Sequence, residues 1–406
     1  MMQKIPIPPK LEQNLGISVY FSKTQGIGGK IKKIPEDFIV EEIMPNGKIL
    51  KIENSNEEEN EKNNYEYVHF TLKKYNWDTI RAIKEISKRL RVSRKRFGFA
   101  GTKDRRALTT QRISLWNVPI ENLNKVRIKD IEIRDAKYEK ERINLGHLWG
   151  NRFTITLREI SLNKEEIKRR INNTLKELNS KIPGFFGLQR FGIQRPITHL
   201  VGKEILKRNF KEAVMIYLSR TFPEESEEAR KARKFLAETE DFREALKIFP
   251  KYLGYEKSML NFLIKHPNDM IGALRKLPKK LRWLFIHAYQ AYIFNKSLSI
   301  HLTENKKVEK LPLVGYESKL DEITEKILEE EGIRKEDFLI KEMPEMSSKG
   351  EYRRSFFKFK NFKVISIENE NNSKNNKNKK VSLQFSLPKG TYATILLREF
   401  MKNKYW

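Results

Sequence analysis

The feature that most limits the fold is a change of pattern along the chain, in which strand-like segments near both ends enclose a long helical stretch. Apolar and polar residues alternate in Lys30–Ile43 and Tyr65–Leu72, with the period of half-buried strands. Strand patterns return at Phe362–Ile367 and Val381–Ser386, whereas helical spacing dominates 193–353. A sheet that resumes after such an interruption is explained by one domain inserted into another.

The sequence therefore predicts an α+β protein with two domains. The first is discontinuous, formed by 1–192 and 354–406, and should hold a sheet with flanking helices. The inserted domain, 193–353, should be mainly helical. Low-complexity polar loops are expected at Asn54–Asn64 and Asn369–Lys380.

Particular elements can be assigned within these domains. Helical spacing is clear in Asn76–Leu90, with Asn76 or Asp78 as its cap, and in Asn163–Leu178. The inserted domain has helical patterns in Glu224–Leu246, Met259–Ile264 and Leu281–Leu302. Further strands are expected at Phe97–Gly101, Gln111–Leu115, Ile131–Tyr138 and Phe153–Leu157.

The charge balance points to a polyanionic partner. The 406 residues include 82 Lys and Arg against 53 Asp and Glu, a net charge of +29 spread along the chain. No segment approaches the roughly 20 apolar residues of a spanning helix. Met1–Lys10 lacks the apolar core of a secretory signal, so a cytoplasmic protein without membrane contact is expected. The absence of cysteine excludes disulfides, thiol nucleophiles and Cys-ligated metals.

The densest candidate for chemistry is the segment Phe97–Ser114, FGFAGTKDRRALTTQRIS. In it Asp104 stands between Lys103 and Arg105, and neighbouring positive charge favours the ionised carboxylate. That form suits a nucleophile or an electrostatic stabiliser better than a general acid. Taken alone, the tripeptide is more often a surface turn that holds a local ion pair.

Other kinds of catalytic site are not supported. The glycine spacing around Lys103 does not match a phosphate-binding P-loop, and no dinucleotide-binding glycine pattern occurs. The six histidines contain no pair at the spacing of a helical metal site. A metal-dependent nuclease would need a carboxylate cluster, and Asp337, Glu342 and Glu345 are more typical of a solvated face. The sequence thus favours chemistry by side chains alone, with no cofactor and no metal.

Aromatic residues accompany cations in several turns. Exposed rings beside Arg or Lys could stack on unpaired bases while the cations bind phosphate. Each phenylalanine taken singly is more often a core residue. The rings in question are Phe38, Phe153, Phe185, Phe186 and Phe191.

With these segments in view, the chain resembles the TruD family of tRNA pseudouridine synthases nearly from end to end. Seven ordered blocks carry the resemblance: KKIPEDFIVEE (Lys32–Glu42), FGFAGTKDRRALTTQRIS (Phe97–Ser114), LGHLWGNRFTITLR (Leu145–Arg158), PGFFGLQRFGIQRPITHLVG (Pro183–Gly202), HAYQAYIFN (His287–Asn295), SSKGEYRR (Ser347–Arg354) and FSLPKGTYATILLREFM (Phe385–Met401). The resemblance implies a pseudouridine synthase catalytic domain with a curved mixed sheet, interrupted by a domain particular to this family.

The resemblance also implies an activity and a site. Uridine in tRNA is detached at its glycosidic bond, rotated and rejoined through carbon 5, without cofactor or metal, and position 13 is the expected target. Asp104 corresponds to the family's catalytic nucleophile. The residues expected to bind substrate are Lys32, Glu36, Phe38, Lys103, Arg105, Asn151, Phe153, Gln189 and Arg190. A monomer is expected, and the alternative is a non-catalytic RNA-binding protein that keeps the basic cleft.

Overall fold

A computed structural model describes residues 6–53, 65–370 and 378–403. The predicted loop Asn54–Asn64 and most of the tract Asn369–Lys380 lie outside these ranges. The strands are β1 (Phe38–Ile43), β2 (Tyr67–Tyr75), β3 (Phe97–Phe99), β4 (Leu108–Trp116), β5 (Ile131–Glu139), β6 (Gly150–Ile160), β7 (Lys181–Pro183), β8 (Lys310–Leu313), β9 (Glu351–Arg354), β10 (Phe356–Lys358), β11 (Lys360–Asn369) and β12 (Lys379–Pro388).

Helices alternate with strands in the first part of the chain and dominate the middle part, which confirms the predicted α+β class. They are α1 (Lys10–Gln13), α2 (Thr79–Arg89), α3 (Ile120–Leu123), α4 (Lys164–Leu178), α5 (Thr198–Leu206), α6 (Phe210–Ser219), α7 (Glu227–Thr239), α8 (Phe242–Ile248), α9 (Gly254–Lys265), α10 (Met270–Arg275), α11 (Lys279–Thr303), α12 (Glu322–Glu331) and α13 (Ala393–Met401). None of the helices in the described ranges is long and apolar enough to span a bilayer.

The chain divides into two compact units. The first contains Ser22–Ile182 and the chain from Phe357 onward, and the second contains Pro6–Phe21 and Pro183–Phe356. The sequence placed the boundaries at 192 and 354 and assigned the segment Pro6–Phe21 to the first domain. In the structure Asn295 of α11 donates to Leu15 O at 3.0 Å, so this segment packs on the second unit.

An eight-stranded mixed sheet forms the centre of the first unit, in the order β11-β12-β6-β1-β4-β2-β5, with β3 paired to β4. The pair β1–β4 is parallel, and β6 lies antiparallel to both β1 and β12. β1 pairs with the first residues of β4, whereas β3 pairs with its far end, Ile113–Leu115. The segment that connects β3 to β4 therefore starts beside Ile113 of β4 and returns to the first residue of that strand, Leu108.

The first strand is shorter than its sequence pattern predicts. Only Phe38–Ile43 of the predicted Lys30–Ile43 is a strand, because Pro35–Asp37 forms a turn of 3-10 helix. Proline lacks the N–H that a ladder requires and suits the first helical position. The turn is held by Asp37, whose carboxylate accepts from Ile34 N at 3.0 Å.

The two helices that the sequence predicts in the first unit, α2 and α4, begin close to their predicted starts. Asp78 caps α2 by accepting from Arg81 N, and Asn163 caps α4 by accepting from Glu166 N. A side-chain cap satisfies one of the N–H groups that a helix start leaves without an intrahelical partner. α2 buries Ile83 and Ile86 in the same core as the inward residues of β2.

The second unit is built around α11, which is buried along most of its length. α5, α6 and α9 contribute to one continuous core with it. The predicted helix Glu224–Leu246 is two helices, because Glu240 adopts a left-handed backbone with φ of 50° and Asp241 then caps α8. Both residues are compatible with a helical pattern, so apolar spacing alone concealed this break.

Candidate active site

Asp104 lies on the loop between β3 and β4, and three anchors fix the backbone of that loop. Lys74, the next-to-last residue of β2, is fully buried and donates to Asp104 O at 2.8 Å and to Trp77 O at 2.7 Å. Burial lowers the pKa of Lys74 to about 8, against the opposing effect of the Asp104 charge. The Lys74 ammonium is thus held in the interior by the carbonyl groups that it organises.

The other two anchors come from α2 and β4. Thr79 Oγ1 accepts from Lys103 N at 3.0 Å and donates to Gln111 Oε1 at 2.9 Å. The amide of Gln111 in turn donates to Gly101 O at 2.9 Å. The first turn of α2 and the middle of β4 therefore hold the loop at Lys103 and Gly101, just before Asp104, which reduces the freedom of the carboxylate.

Lys103 points away from solvent into a buried ion pair. Its Nζ lies 2.6 Å from Glu42 Oε2, and the two side chains are 4% and 2% exposed. Glu42 Oε1 also accepts from Arg112 N at 3.1 Å. A cation enclosed in this way has no access to RNA phosphate, so we assign Lys103 to positioning the loop.

The cation that reaches Asp104 comes from a distant part of the sequence. Lys32 Nζ lies 2.7 Å from Asp104 Oδ1, in a pair whose side chains are 19% and 34% exposed. The same ammonium lies 3.9 Å from the centroid of the Phe38 ring. Oδ1 is thereby engaged, whereas no hydrogen bond to Oδ2 is found within the described ranges. One oxygen of Asp104 is held and the other faces a solvent-accessible space.

Residues of the Lys32–Glu42 block border this carboxylate. The exposed Glu36 accepts a 2.8 Å hydrogen bond from the phenol of Tyr75, which raises the pKa of Tyr75. Asp37 forms a bidentate pair with Arg158 Nε at 2.8 and 2.9 Å. These bonds tie the turn before β1 to β2 and β6, and so fix where Lys32 and Phe38 lie relative to Asp104.

The expectation of exposed stacking rings is wrong for this structure. Phe38 is 2% exposed and Phe153 is 7% exposed. Phe153 stacks on Phe385 with centroids 5.6 Å apart and meets the edge of Phe38 at 6.1 Å. The three rings project from β1, β6 and β12 on one face of the sheet, where neighbouring strands bring them into register. The remaining rings, Phe185, Phe186 and Phe191, are also buried.

Asn151 and Arg105 differ in their surroundings. Asn151 lies on β6, opposite Glu42 of β1 on one side and Leu387 of β12 on the other. Its Oδ1 is buried without a hydrogen-bond partner in the residues that the structure describes. A buried acceptor in this state requires a donor. Arg105 is exposed beside Asp104, and no carboxylate pairs with it in the described part of the chain. Arg105 is therefore accessible to a ligand, whereas Asn151 Oδ1 is enclosed.

Gln189 and Arg190 belong to the second unit, on a 3-10 turn at Leu188–Arg190. The guanidinium of Arg190 lies 5.3 Å from the Phe186 ring centroid. Arg190 also lines a cavity of about 260 Å³ with His287 of α11 and the segment 347–351. Burial, reinforced by the charge of Arg190, lowers the pKa of His287. Three of the motif blocks therefore meet at one place in this unit.

Lys74, Glu42 and Tyr75 were not among the residues expected at the site. A signal for Lys74 was present, because it continues the inward series Val68, Phe70 and Leu72 along a strand of period two. A lysine at a core position needs acceptors, and the carbonyl groups of the Asp104 loop supply them. In the described ranges no group of three acidic or histidine side chains could hold a metal ion.

We expect replacement of Phe153 by leucine to lower the free energy of unfolding by about 1–3 kcal/mol, because two aromatic contacts worth about 0.5–1.5 kcal/mol each are lost. Denaturant unfolding of the variant and the wild type measures this difference. Phe262→Leu, which removes a half-buried ring of the second unit, is a comparison variant. An unfolding free energy equal to that of the wild type would contradict the stacked arrangement of Phe153.

Comparison with known proteins gives one consistent result. The profile of the family described as tRNA pseudouridine synthase D (TruD) matches residues 14–311 and 300–400. A protein of Methanosarcina barkeri named "Probable tRNA pseudouridine synthase D" is 37% identical over 97% of this chain and 98% of its own length. A Methanocaldococcus jannaschii protein named "Probable tRNA pseudouridine synthase D 1" is 41% identical over 93% of this chain and 96% of its own length.

A crystal structure of the tRNA pseudouridine synthase D (TruD) candidate from Methanosarcina mazei is similar in fold. It superposes with a TM-score of 0.79 at 36% identity and covers 98% of both chains. The match therefore includes residues of both units, since it leaves no large part of either chain uncovered.

Proposed function

The chain belongs to the tRNA pseudouridine synthase D (TruD) family, and on that premise we propose that it converts a uridine of tRNA to pseudouridine with Asp104 as the reacting carboxylate. The observation that carries this proposal is the state of Asp104. Its loop is anchored by Lys74, its Oδ1 is paired with Lys32, and its Oδ2 has no hydrogen bond in the described residues. A positioned carboxylate with one free oxygen is suited to covalent or electrostatic work on a sugar.

Access to Asp104 requires that the nucleotide leave its stack. A uridine within folded RNA must be extruded before a side chain can reach its glycosidic bond, at a cost of a few kcal/mol. The exposed Arg105 beside Asp104 can bind the phosphate of the extruded nucleotide. We propose that Asn151, whose buried Oδ1 lacks a donor, accepts from the N–H of the base once the entering nucleotide uncovers it. We propose contacts of Gln189 and Arg190 with tRNA from the second unit.

Two chemical routes start from the same carboxylate. In one, Asp104 attacks the nucleotide and forms a covalent adduct as the glycosidic bond breaks. In the other, it removes the proton from ribose carbon 2′ as the base departs, leaving a glycal. Carbon 5 of the rotated base is then joined to carbon 1′ as the proton returns to carbon 2′, and the proton on carbon 5 is lost while N1 of the base gains one. Only the second route breaks the 2′ C–H bond, so deuterium at that position should slow the reaction only there.

The proposed substrate is position 13 of tRNA. The proposed reaction needs no redox cofactor because it is an isomerisation without net oxidation, and we propose that it proceeds without a metal. A monomer that works in the cytoplasm remains a prediction from the sequence. Incubation of the purified protein with a tRNA transcript, followed by carbodiimide-adduct primer extension, should give one new stop at uridine 13. A transcript with cytidine at position 13 is the control and should give none.

The outcome of that experiment also separates the alternative function. A protein that binds tRNA tightly and produces no carbodiimide-dependent stop under any of these conditions would be a non-catalytic RNA-binding protein. A stop at another uridine would retain the reaction and reject the assignment to position 13. Activity that disappears with a chelator would reject the metal-free mechanism.

A further inference from the structure

We propose that a basic surface of the first unit, remote from Asp104, binds the phosphate backbone of a second segment of the RNA. The basic surface is defined by Arg89, Arg91, Arg94, Lys95, Arg96 and Arg127. The proposal rests on the proposed function, since the ligand is the tRNA of that reaction. It adds a docking site that the reaction at Asp104 does not itself require.

Hydrogen bonds hold these cations together at the end of α2. Arg89 Nε donates to Arg127 O at 2.9 Å, which places the C-terminus of α2 beside the segment before β5. Arg96 donates to Asn117 O at 3.2 Å and is the last residue of the short turn Arg94–Arg96. The turn is capped by Ser93, so three consecutive cations project from a fixed piece of backbone.

The charges of the basic surface are not neutralised by the protein. In the parts of the chain that the structure describes, no carboxylate lies within ion-pair distance of any of the six cations. The nearby Glu85 pairs with Lys88 instead, at 3.2 Å. On α4 of the same unit, by contrast, Arg169 and Arg170 both pair with Glu166. Such a patch favours a polyanion, because bound phosphates release their counterions.

An exposed aromatic ring adjoins the cations. Trp116 at the end of β4 is 39% exposed, and the Arg96 guanidinium lies 5.3 Å from its ring centroid. The indole N–H donates to Glu66 at 3.1 Å, which fixes the ring plane. An aromatic face held beside arginines suits sugar or base contacts of RNA better than a lipid headgroup layer.

The basic surface is too far from Asp104 to hold the reacting nucleotide. Thr79, which contacts the Asp104 loop, and Arg89 are ten residues apart on α2, or about 15 Å at 1.5 Å per residue. Leu108 and Trp116 are the two ends of β4, about 26 Å apart at 3.3 Å per residue. The phosphates bound here therefore belong to another part of the tRNA.

The test removes three of these charges in the full protein. Arg91, Arg94 and Lys95 are exposed and make no side-chain hydrogen bond in the described ranges, so the triple substitution R91Q/R94Q/K95Q should fold normally. We expect the slope of log Kd against log salt concentration for full-length tRNA to fall by about 2–3, since each phosphate contact contributes about 0.7–0.9. Affinity for a short hairpin that carries the target uridine should fall far less.

The matched control is K164Q/K168Q/K176Q, which removes the same charge from exposed positions of α4, where acidic residues alternate with basic ones. It should change the slope by less than half as much. A triple variant at the basic surface with the wild-type slope would overturn the proposal, as would equal losses for the two triple variants. The proposal would also be overturned if R91Q/R94Q/K95Q lost binding to phosphatidylserine vesicles while its binding to tRNA stayed intact.

These outcomes are independent of the proposed reaction. If the wild type forms no pseudouridine but the slope falls as expected, the reaction is wrong and the basic surface stands. If the wild type forms pseudouridine and the slope is unchanged, the reaction stands and the basic surface does not bind RNA.

Discussion

Replacement of Asp104 by asparagine should reduce pseudouridine formation at least about 10³-fold, because the amide can neither attack the nucleotide nor accept a proton from it. Affinity for tRNA should be unchanged or slightly higher, since the carboxylate places negative charge beside bound phosphate. Single-turnover conversion of tRNA and a filter-binding Kd measure the two quantities. The free Oδ2 is the atom on which this expectation rests.

Glu85→Gln provides a closely matched control. Glu85 is, like Asp104, a partly exposed carboxylate paired with lysine, with Lys88 at 3.2 Å and side-chain exposures of 30% for Glu85 and 34% for Asp104. It lies on α2 away from the Asp104 loop, so the single-turnover rate of its variant at saturating concentration should equal that of the wild type. Substantial turnover by Asp104→Asn would remove Asp104 from the reaction.

The second large effect is expected at the buried ion pair behind the loop. Lys103→Met should lower the free energy of unfolding by about 3–5 kcal/mol, because it leaves the Glu42 carboxylate buried without its cation. Denaturant unfolding at constant pH measures the loss. The rate of conversion should also fall, since Lys103 carries the backbone that presents Asp104.

The double substitution Lys103→Met with Glu42→Met should recover more than half of the lost stability, because the uncompensated charge is then absent. Full recovery is not expected, since Arg112 N loses its acceptor. If the rate stays low while stability returns, the pair positions the loop as well as stabilising the fold. A single variant Lys103→Met with wild-type stability would show that Glu42 is solvated or protonated.

Local patterns predicted much of the fold. The cap of α2, narrowed to Asn76 or Asp78, the extent of α4 and most strand positions were predictable because they depend on neighbouring residues, and the seven blocks identified the family. The inserted helical segment was recognisable because the strand period stops and later resumes. The position of Pro6–Phe21 was not, because its contacts with α11 depend on residues about 280 positions away.

The site was predicted less completely than the fold. The motif identified Asp104 but suggested its sequence neighbours as charge partners, whereas the structure pairs it with Lys32 and turns Lys103 inward to Glu42. Sequence adjacency does not determine which way a loop side chain points. The aromatic residues were misjudged for a related reason, because burial of Phe153 depends on Phe385 in a strand far along the chain.

The pairing of β6 with β12 has a consequence for synthesis on the ribosome. Phe153 lies opposite Phe385, so one edge of β6 waits about 230 residues for its partner, or roughly 10–50 s at 5–20 residues per second. During that interval the nascent sheet presents an open strand edge of the kind that promotes aggregation. The intervening segment has its own core around α11 and can fold before β12 is synthesised. It then connects the strands already paired with β6 to the strands that follow. Emergence of β12 and α13 would then close the sheet as a late step in biogenesis.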